Sequence, residues 1–480
     1  MSKIEVNEVV KQSGSTLTLG GPGTAVTLGS GATQTGFGRT GTVDWQTSIK
    51  TGDFTAVSGE GYFVNTTSGE IDVTLPSSPS AGDIVSLKDY AGNWATNNCI
   101  VLRNGSNMDG SAANQTFSTS GLSLTLIYMD ATKGWSLIND DETSTLGASY
   151  ITATGGSTST CGNFKIHTFT GPGTFTVSCA GNAGGSNTIE YLVVAGGGGG
   201  GGDLGGGGGA GGYRTVFPSP ATGGLPVTAT GYPVTVGGGG TAPSGPQPGA
   251  PITASGSGSN SVFSGSSTIT SAGGGGGGQS QNPYGGCAGA NGGSGGGNGG
   301  YAPIPAAGGT GNTPPVSPPQ GNNGGSGGGN NNAYPGGGGG GAAAVGGSAG
   351  NTTSAGQAGG AGSQNNIDGN NYYWAGGGGG AAYQPGPAAG NGGIGGGGGG
   401  GKGGGSGPTT FGTGGGSAIN AGSPGTGNNP ESAGVQGGAA GANSGGGGGA
   451  GAHNSSPGVQ SGSKGGNGGS GIVIIRYKFQ

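Results

Sequence analysis

Acid–base or metal chemistry in this sequence would have to draw on two histidines, His167 and His453. Between Thr215 and Ser470 the only charged side chains are Asp368, Lys402, Glu431 and Lys464. A nucleophilic triad needs a base held by a third group, and a zinc site needs several converging nitrogen or sulfur ligands. His167 lies in a strand-like run and reads as a surface or interface residue. His453 stands near glycine and reads as solvated. The carboxylates Asp44, Asp53, Glu60, Glu70, Asp72, Asp83 and Asp89 are the one place for a glycosidase pair, but their spacing reads as solvated turns. The run from Gly396 to Gly401-Lys402 imitates a phosphate loop, yet Gly403 stands where Ser or Thr must bind magnesium. No enzymatic activity, cofactor or metal site is expected.

The side chains better suited to a function are aromatic. Tyr284, Tyr301, Tyr334, Tyr372, Tyr373, Trp374 and Tyr383 stand in polar, loop-like segments. Rings in such places can stack on sugars or on partner aromatics. The stretch NNYYWAGG is the strongest single candidate. The alternative is that these rings plug gaps in the fold or pack against a neighbouring subunit. The four cysteines form no C-x-x-C pair. Cys161 and Cys179 flank a hairpin-like segment, which leaves both a disulfide and free thiols open.

These residues must be positioned by an unusual chain. Of 480 residues, 137 are Gly, 29% are hydrophobic and 6% are charged, against about 25% charged in an ordinary domain. There is no strict Gly-X-Y period, so collagen is excluded. Composition alone favours a disordered low-complexity chain. The net charge of −5, with 13 Lys and Arg in all, argues against a nucleic-acid binder. No apolar run approaches the ~20 residues that span a bilayer. The start, MSKIEVNEVV, lacks the apolar core of a signal peptide; release by lysis on a larger particle is the expectation.

Residues 1–40 read as a strand-rich attachment or oligomerisation segment, too small to bury a core alone. Residues 41–143 read as a small antiparallel all-β domain. Alternation is clear in Ile71-Asp-Val73-Thr-Leu75 and Leu122-Ser-Leu124-Thr-Leu126. Trp45, Phe54, Tyr62, Phe63, Tyr90, Trp94, Tyr128 and Trp135 are its candidate core aromatics. Residues 144–194 form a β-strand base, in which HTFTGPGTFTV reads as a hairpin. Residues 195–470 are glycine-rich, and 471–480 close the chain with the apolar strand GIVIIRYKF. No α-helix is needed anywhere.

A flexible linker would join something to something. Beyond the glycine region lies only the closing strand, whose Ile472-Val-Ile-Ile475 needs a partner. Tyr191 to Val194 is the candidate, which would tie both ends of the region to one base. Between the ends, glycine blocks such as 196–202, 205–209, 336–341, 376–380, 395–401 and 445–449 alternate with segments of varied composition. The pattern is constant rods joined by variable loops. Polyproline II-type glycine helices, three residues per turn with ~3.1 Å rise, suit such rods. They make no internal hydrogen bonds, so their N–H and C=O groups must find lateral partners. Ordering glycine costs more than one bond's ~0.5–1.5 kcal/mol returns, so only a cooperative stack would fold.

The run YLVVAGGGGGGG through GGGGAGGYR to GGSGIVIIRYKF resembles glycine-rich domains of bacteriophage tail fibres and adhesins. GTVDWQT…GYFVNTTSGEIDVTLPSSPSAGDIVSLKDYAG resembles a domain of fibre proteins from phages of marine cyanobacteria and similar hosts. The first strands resemble fibre attachment regions. The resemblance implies an all-β chain ending in a polyglycine II sandwich clamped by strands. It implies a virion fibre, homotrimeric, joined to other virion proteins by its amino-terminal segment and binding a host surface receptor, a glycan or an outer-membrane protein, through loops between the glycine rods. A purely structural fibre or decoration protein is the alternative, and a cellular glycine-rich surface or matrix protein a further one.

Overall fold

The computed structural model describes residues 43–138, 149–182, 185–218, 224–242, 254–281, 285–300, 307–328, 334–350, 355–383, 388–404, 410–427, 435–453 and 463–480. The strands expected within residues 1–40 lie outside the described residues, as do Tyr284 and Tyr301. The chain divides into two compact units, Met1–Asp141 and Glu142–Gln480. Both are built of strands, with no helix among the described residues.

In the first unit the chain passes back and forth between two sheets. β1 (Asp44–Lys50), β3 (Glu60–Val64) and β5 (Ile84–Asp89) lie parallel in one. β2 (Phe54–Thr55), β4 (Ile71–Thr74) and β6 (Cys99–Leu102) lie parallel in the other. Antiparallel strands then close the sheets: β7 (Gln115–Phe117) on β6, β8 (Ser123–Tyr128) on β5, and β9 (Trp135–Leu137) on β8. The expected antiparallel domain is therefore mixed. Alternation fixes which face of a strand is buried but not the direction of its neighbour. Here the connection between parallel neighbours is a strand of the opposite sheet. The inward faces bury Val64, Val73, Leu75, Leu87, Val101 and Leu126 around Tyr62, Trp94 and Trp135. Of the other candidate core aromatics, Trp45 and Tyr90 are exposed.

The second unit rests on a sandwich. One sheet runs β10 (Ile151–Thr154), β13 (Gly173–Ala180), β17 (Gly231–Thr235), β18 (Ser261–Ser264), β19 (Thr268–Ser271). The other runs β11 (Ser157–Cys161), β12 (Phe164–Phe169), β24 (Ile472–Lys478), β14 (Thr188–Val194), β15 (Tyr213–Thr215), with β16 (Leu225–Pro226) also on β14. The expected pairing holds: Tyr191 faces Ile475 and Val194 faces Ile472 across an antiparallel ladder. The unbroken apolar run of β24 is explained by burial on both faces. Val473, Ile475 and Tyr477 enter the core between the sheets, and Ile472 and Ile474 enter a second core on the opposite face.

The hairpin expected in HTFTGPGTFTV does not form. β12 pairs with β11 and β24, while β13 pairs with β10 and β17, so the Gly171-Pro172-Gly173 turn crosses from sheet to sheet. Cys161 and Cys179 consequently lie on different sheets, and both are exposed free thiols. His167, expected at a surface or an interface, is fully buried inside the sandwich. Its Nδ1–H donates to the Gly155 carbonyl at 2.7 Å, and Nε2 lies 3.1 Å from the Tyr477 hydroxyl. Burial pulls its pKa below the ordinary value.

Six glycine-rich segments grow directly out of sandwich strands: 195–201 from β14, 205–212 into β15, 237–242 from β17, 254–260 into β18, 272–278 from β19 and 463–471 into β24. Their backbones bond sideways with a period of three. Gly196 and Gly199 donate to Ser259 and Gly256, at 3.1 and 2.9 Å. Gly197 and Gly200 donate to Gly469 and Gly466, both at 2.9 Å, and Gly198 and Gly201 to Gly209 and Gly206, at 2.8 and 2.9 Å. Successive residues thus address three different neighbours.

Segment 205–212 is the most enclosed. Gly205, Gly208 and Gly211 donate to Gly451, Gly448 and Gly445; Gly206, Gly209 and Gly212 to Gly278, Gly275 and Ala272; Gly207 and Ala210 to Gly337 and Gly340. Its carbonyls accept from Gly198 and Gly201, from Ser294 and Gly297, and from Gly378 and Ala381. Six other segments therefore contact it through hydrogen bonds. The approach leaves no room for side chains: a Cβ placed on Gly207 would fall on the Gly378 carbonyl oxygen, and one on Gly378 would fall on that of Gly448. Glycine is required here for proximity.

Candidate functional site at the far end of the glycine stack

The register of these bonds gives the stack two ends. At the base, Ala195 is bonded to Gly212, Gly211 to Gly445, Ala342 to Ala375 and Gly471 to Gly237. At the far end, Gly201 meets Gly206, Gly205 meets Gly451, Gly336 meets Ala381, and Ala382 meets Gly401. The described segments alternate in direction between these levels.

Asp203 and Leu204 make the first far-end turn, between 195–201 and 205–212. Both adopt positive φ, 49° and 57°, and both are buried. That conformation is costly for a leucine and persists only where surroundings hold it. Here the turn's backbone carbonyls are taken by incoming amides: Ser280 N–H donates to Asp203 O at 3.2 Å, and Gly300 N–H to Leu204 O at 2.8 Å. The Asp203 side chain is then fixed toward His453, whose Nδ1 lies 2.7 Å from Oδ1. This hydrogen bond raises the His453 pKa above its ordinary value, against the opposing effect of burial.

The His453 ring meets Tyr383 edge-on, centroids 5.5 Å apart, and Tyr383 meets Tyr334 at 6.4 Å. Both tyrosines are half-buried. Tyr334 also has positive φ, 42°, as its segment turns down into 335–342. In the neighbouring segment Lys402 is buried, and its desolvation lowers its pKa. The far end thus gathers Tyr334, Tyr383, His453 and Asp203 from four distant points in the sequence. Two phenol rings beside an imidazole–carboxylate pair offer ring faces and polar edges together. No group of three His, Cys, Asp or Glu side chains able to hold a metal is found among the described residues.

The other aromatic candidates are elsewhere. Tyr372, Tyr373 and Trp374 form β23 (Tyr372–Trp374), paired in a hairpin with β22 (Ser363–Asn365) at the base. Trp374 is fully buried against Ile166, Leu192, Ile472 and Ile474, and its Nε1–H donates to Asn365 O at 3.3 Å. Its ring presents no free face to a ligand. The gap-filling role left open by the sequence describes it, because the lower face of the β12–β24–β14 sheet needs an apolar cover. Tyr372 packs against the same core, edge-on to Trp374 at 5.9 Å, and Tyr373 is half-buried beside it. The short ladder of β20 (Ser280–Gln281) and β21 (Gly285–Gly286) lies beside the Asp203 turn, and Tyr284 and Tyr301 themselves lie outside the described residues.

Sequence reasoning set His453 aside as solvated and gave Asp203 no role. The signal was present: Asp203-Leu204 is the sole interruption of two long glycine blocks, as a turn between them requires. Its partner could not be read, because nothing local links position 203 to 453. No protein-family model matches the chain, and no curated protein is detectably similar to it.

Proposed function

We propose that this chain is a phage virion fibre protein, and that its second unit is an adhesin whose far-end loops bind a host surface receptor bearing sugars. In this reading the glycine segments are polyglycine II helices. The observation that carries it is the period-three lateral bonding of segments that alternate in direction. Three residues per turn is the repeat of that helix, and seven residues give a rod of about 22 Å. A rod stack clamped at its base by a β-sandwich separates a constant scaffold from connections free to vary, which suits receptor choice. The Tyr334–Tyr383–His453 array supplies ring faces for a saccharide. The chain is assembled on the particle, as a homotrimer attached through its amino-terminal segment.

The test is competition for adsorption. Purified full-length protein binds host cells saturably and slows adsorption of the particle that carries it. The double variant Tyr334→Ala/Tyr383→Ala binds at least about tenfold more weakly, since each lost aromatic contact is worth roughly 0.5–1.5 kcal/mol beyond its area. Unchanged adsorption in excess protein sinks the receptor role and leaves a spacer or decoration protein.

A further inference from the structure

At the end of the sandwich away from the glycine stack, the Phe164, Ser186, Asn187, Glu190, Arg476 and Lys478 side chains line a cavity of about 360 Å³. β14 carries both features at opposite ends: Thr188 and Glu190 border the cavity, and the glycine segments begin beyond Val194.

Arg476 is enclosed by two rings and a carboxylate. Its guanidinium carbon lies 3.9 Å from the centre of the Phe164 ring and 4.7 Å from that of Phe217. Its Nε lies 3.4 Å from Glu190 Oε2. These contacts fix the plane of the fork through its stem side. Among the described residues, its two terminal nitrogens have no hydrogen-bond partner. Two residues along β24, on the same face, stands Lys478, whose ammonium rests over the Tyr150 ring at 5.3 Å. The Ser186 hydroxyl is buried without a hydrogen-bond partner. Glu190 offsets one positive charge, and the lining retains one more.

We propose that this cavity binds a carboxylated monosaccharide unit, a hexuronate. A planar, immobilised guanidinium with both terminal nitrogens unspent is matched by a carboxylate, which it takes through two parallel bonds. Lys478 adds a second charge. The volume falls within the range of small-molecule sites, roughly 300–1,000 Å³, and exceeds what a simple anion fills. Ser186, Asn187 and Thr188 supply donors and acceptors for ring hydroxyls, and the Phe164 edge an apolar wall. The site is independent of the far-end cluster.

The experiment is calorimetric titration of the full chain with glucuronate, glucose, inorganic phosphate and a short oligouronate. Glucuronate binds with a dissociation constant of roughly 1 mM or tighter, and glucose gives no saturable heat. Arg476→Lys keeps the charge but loses the fork, and weakens glucuronate binding at least about tenfold. Lys478→Gln and Ser186→Ala each weaken it about threefold or more, with the fold checked by circular dichroism. Binding of the oligouronate as well as the monomer makes the source a polysaccharide, and monomer binding alone makes it a free sugar acid; both support the site. Absence of glucuronate binding, equal affinity for phosphate, or unchanged affinity in Lys478→Gln and Ser186→Ala overturns it.

Discussion

His453 Nδ1 lies 2.7 Å from Asp203 Oδ1, a contact between residues 250 positions apart that ties segment 445–453 to the turn between 195–201 and 205–212. The pair is strongest when the imidazole is protonated, and the hydrogen bond to Asp203 raises the His453 pKa above 6.5. A raised folded-state value means that the stabilisation is fully present below the unfolded value near 6.5 and is lost as pH rises through the folded one.

His167 has the opposite sign. Its pKa is lowered by burial between the sheets, so it stays neutral in the fold while the unfolded chain takes up a proton. Its contribution is present above pH 6.5 and is lost as pH falls toward the lowered value. Because the chain has 2 histidines, imidazole resonances in a proton NMR titration should resolve both, one midpoint above 6.5 and one below. His453→Gln should remove the upper midpoint and cost about 1 kcal/mol or less, measured at pH 5.5 by denaturant melts. Two midpoints on the same side of 6.5 contradict the placement of one ring.

Close approach of backbones makes a prediction that pairs two glycines. Gly378 and Gly238 both have φ outside the left-handed region, so alanine is conformationally acceptable at each. At Gly378 the new methyl meets the Gly448 carbonyl, whereas at Gly238 nothing lies within 4 Å. Gly378→Ala should destabilise the second unit by about 1–3 kcal/mol or more, as overpacking does. Gly238→Ala should be neutral or stabilising by about 0.4–1 kcal/mol, through the unfolded chain. Equal effects in denaturant melts would remove the steric argument for glycine in the stack.

Trp374 and Tyr383 looked alike in sequence, each an aromatic beside a glycine block. The structure separates them by level. Trp374→Ala should cost about 3–5 kcal/mol, because it empties the core over Leu192 and Ile474. Tyr383→Ala should stay within about 1 kcal/mol of the parent, its half-buried ring touching Tyr334 and His453. Comparable losses in thermal or denaturant melts would show that the two sites are not structurally distinct.

What the sequence disclosed follows from the range of the interaction involved. Strand β14 and its pairing with β24 were legible, because an apolar run with no other partner leaves one solution. The need for lateral partners along 205–212 was legible too, since glycine backbone carries donors and acceptors that must be met. Direction was not: the parallel run β1–β3–β5 and the sheet-to-sheet crossing between β12 and β13 depend on tertiary geometry that alternation does not encode. Nor was the level of each connection. Counting rods would place NNYYW at one end or the other only if every turn were known, and the turns at Asn312 and Ser417 carry no repeated signature. Trp374 of that hairpin covers a core, which composition cannot tell from a binding face.

The thiols give a test of the sheet assignment that needs no variant. Cys161 and Cys179 are exposed on different sheets, Cys99 is fully buried in the first unit, and Cys287 is partly buried, its sulfur accepting the Gln279 amide at 3.2 Å. Burial pushes the Cys99 thiol up to about 12 and raises that of Cys287 as well. Since the thiolate is the reacting species, an aromatic disulfide reagent at pH 8 should modify two thiols rapidly in the native protein and the other two only on unfolding. Peptide mapping should place the fast pair at Cys161 and Cys179. Recovery of those two as a disulfide, with no fast-reacting thiol, would require β11 and β13 to lie closer than the two-sheet arrangement places them.

Hydrogen exchange addresses the stack itself. Every amide from Gly205 to Gly212 donates to a segment distant in sequence, so none can open without disturbing a neighbour. Exchange from such amides should require sub-global or global opening and should lag an unstructured glycine peptide by at least about a thousandfold. Gly238, whose flank is open to solvent, supplies the internal contrast: its own neighbourhood should exchange sooner than the 205–212 core. The expected profile across the glycine region is therefore graded, slowest where six segments converge and faster outward. A flat profile at the free-peptide rate would mean that the lateral bonds do not persist, and with them would go any rigid presentation of Tyr334, Tyr383 and His453 at the far end.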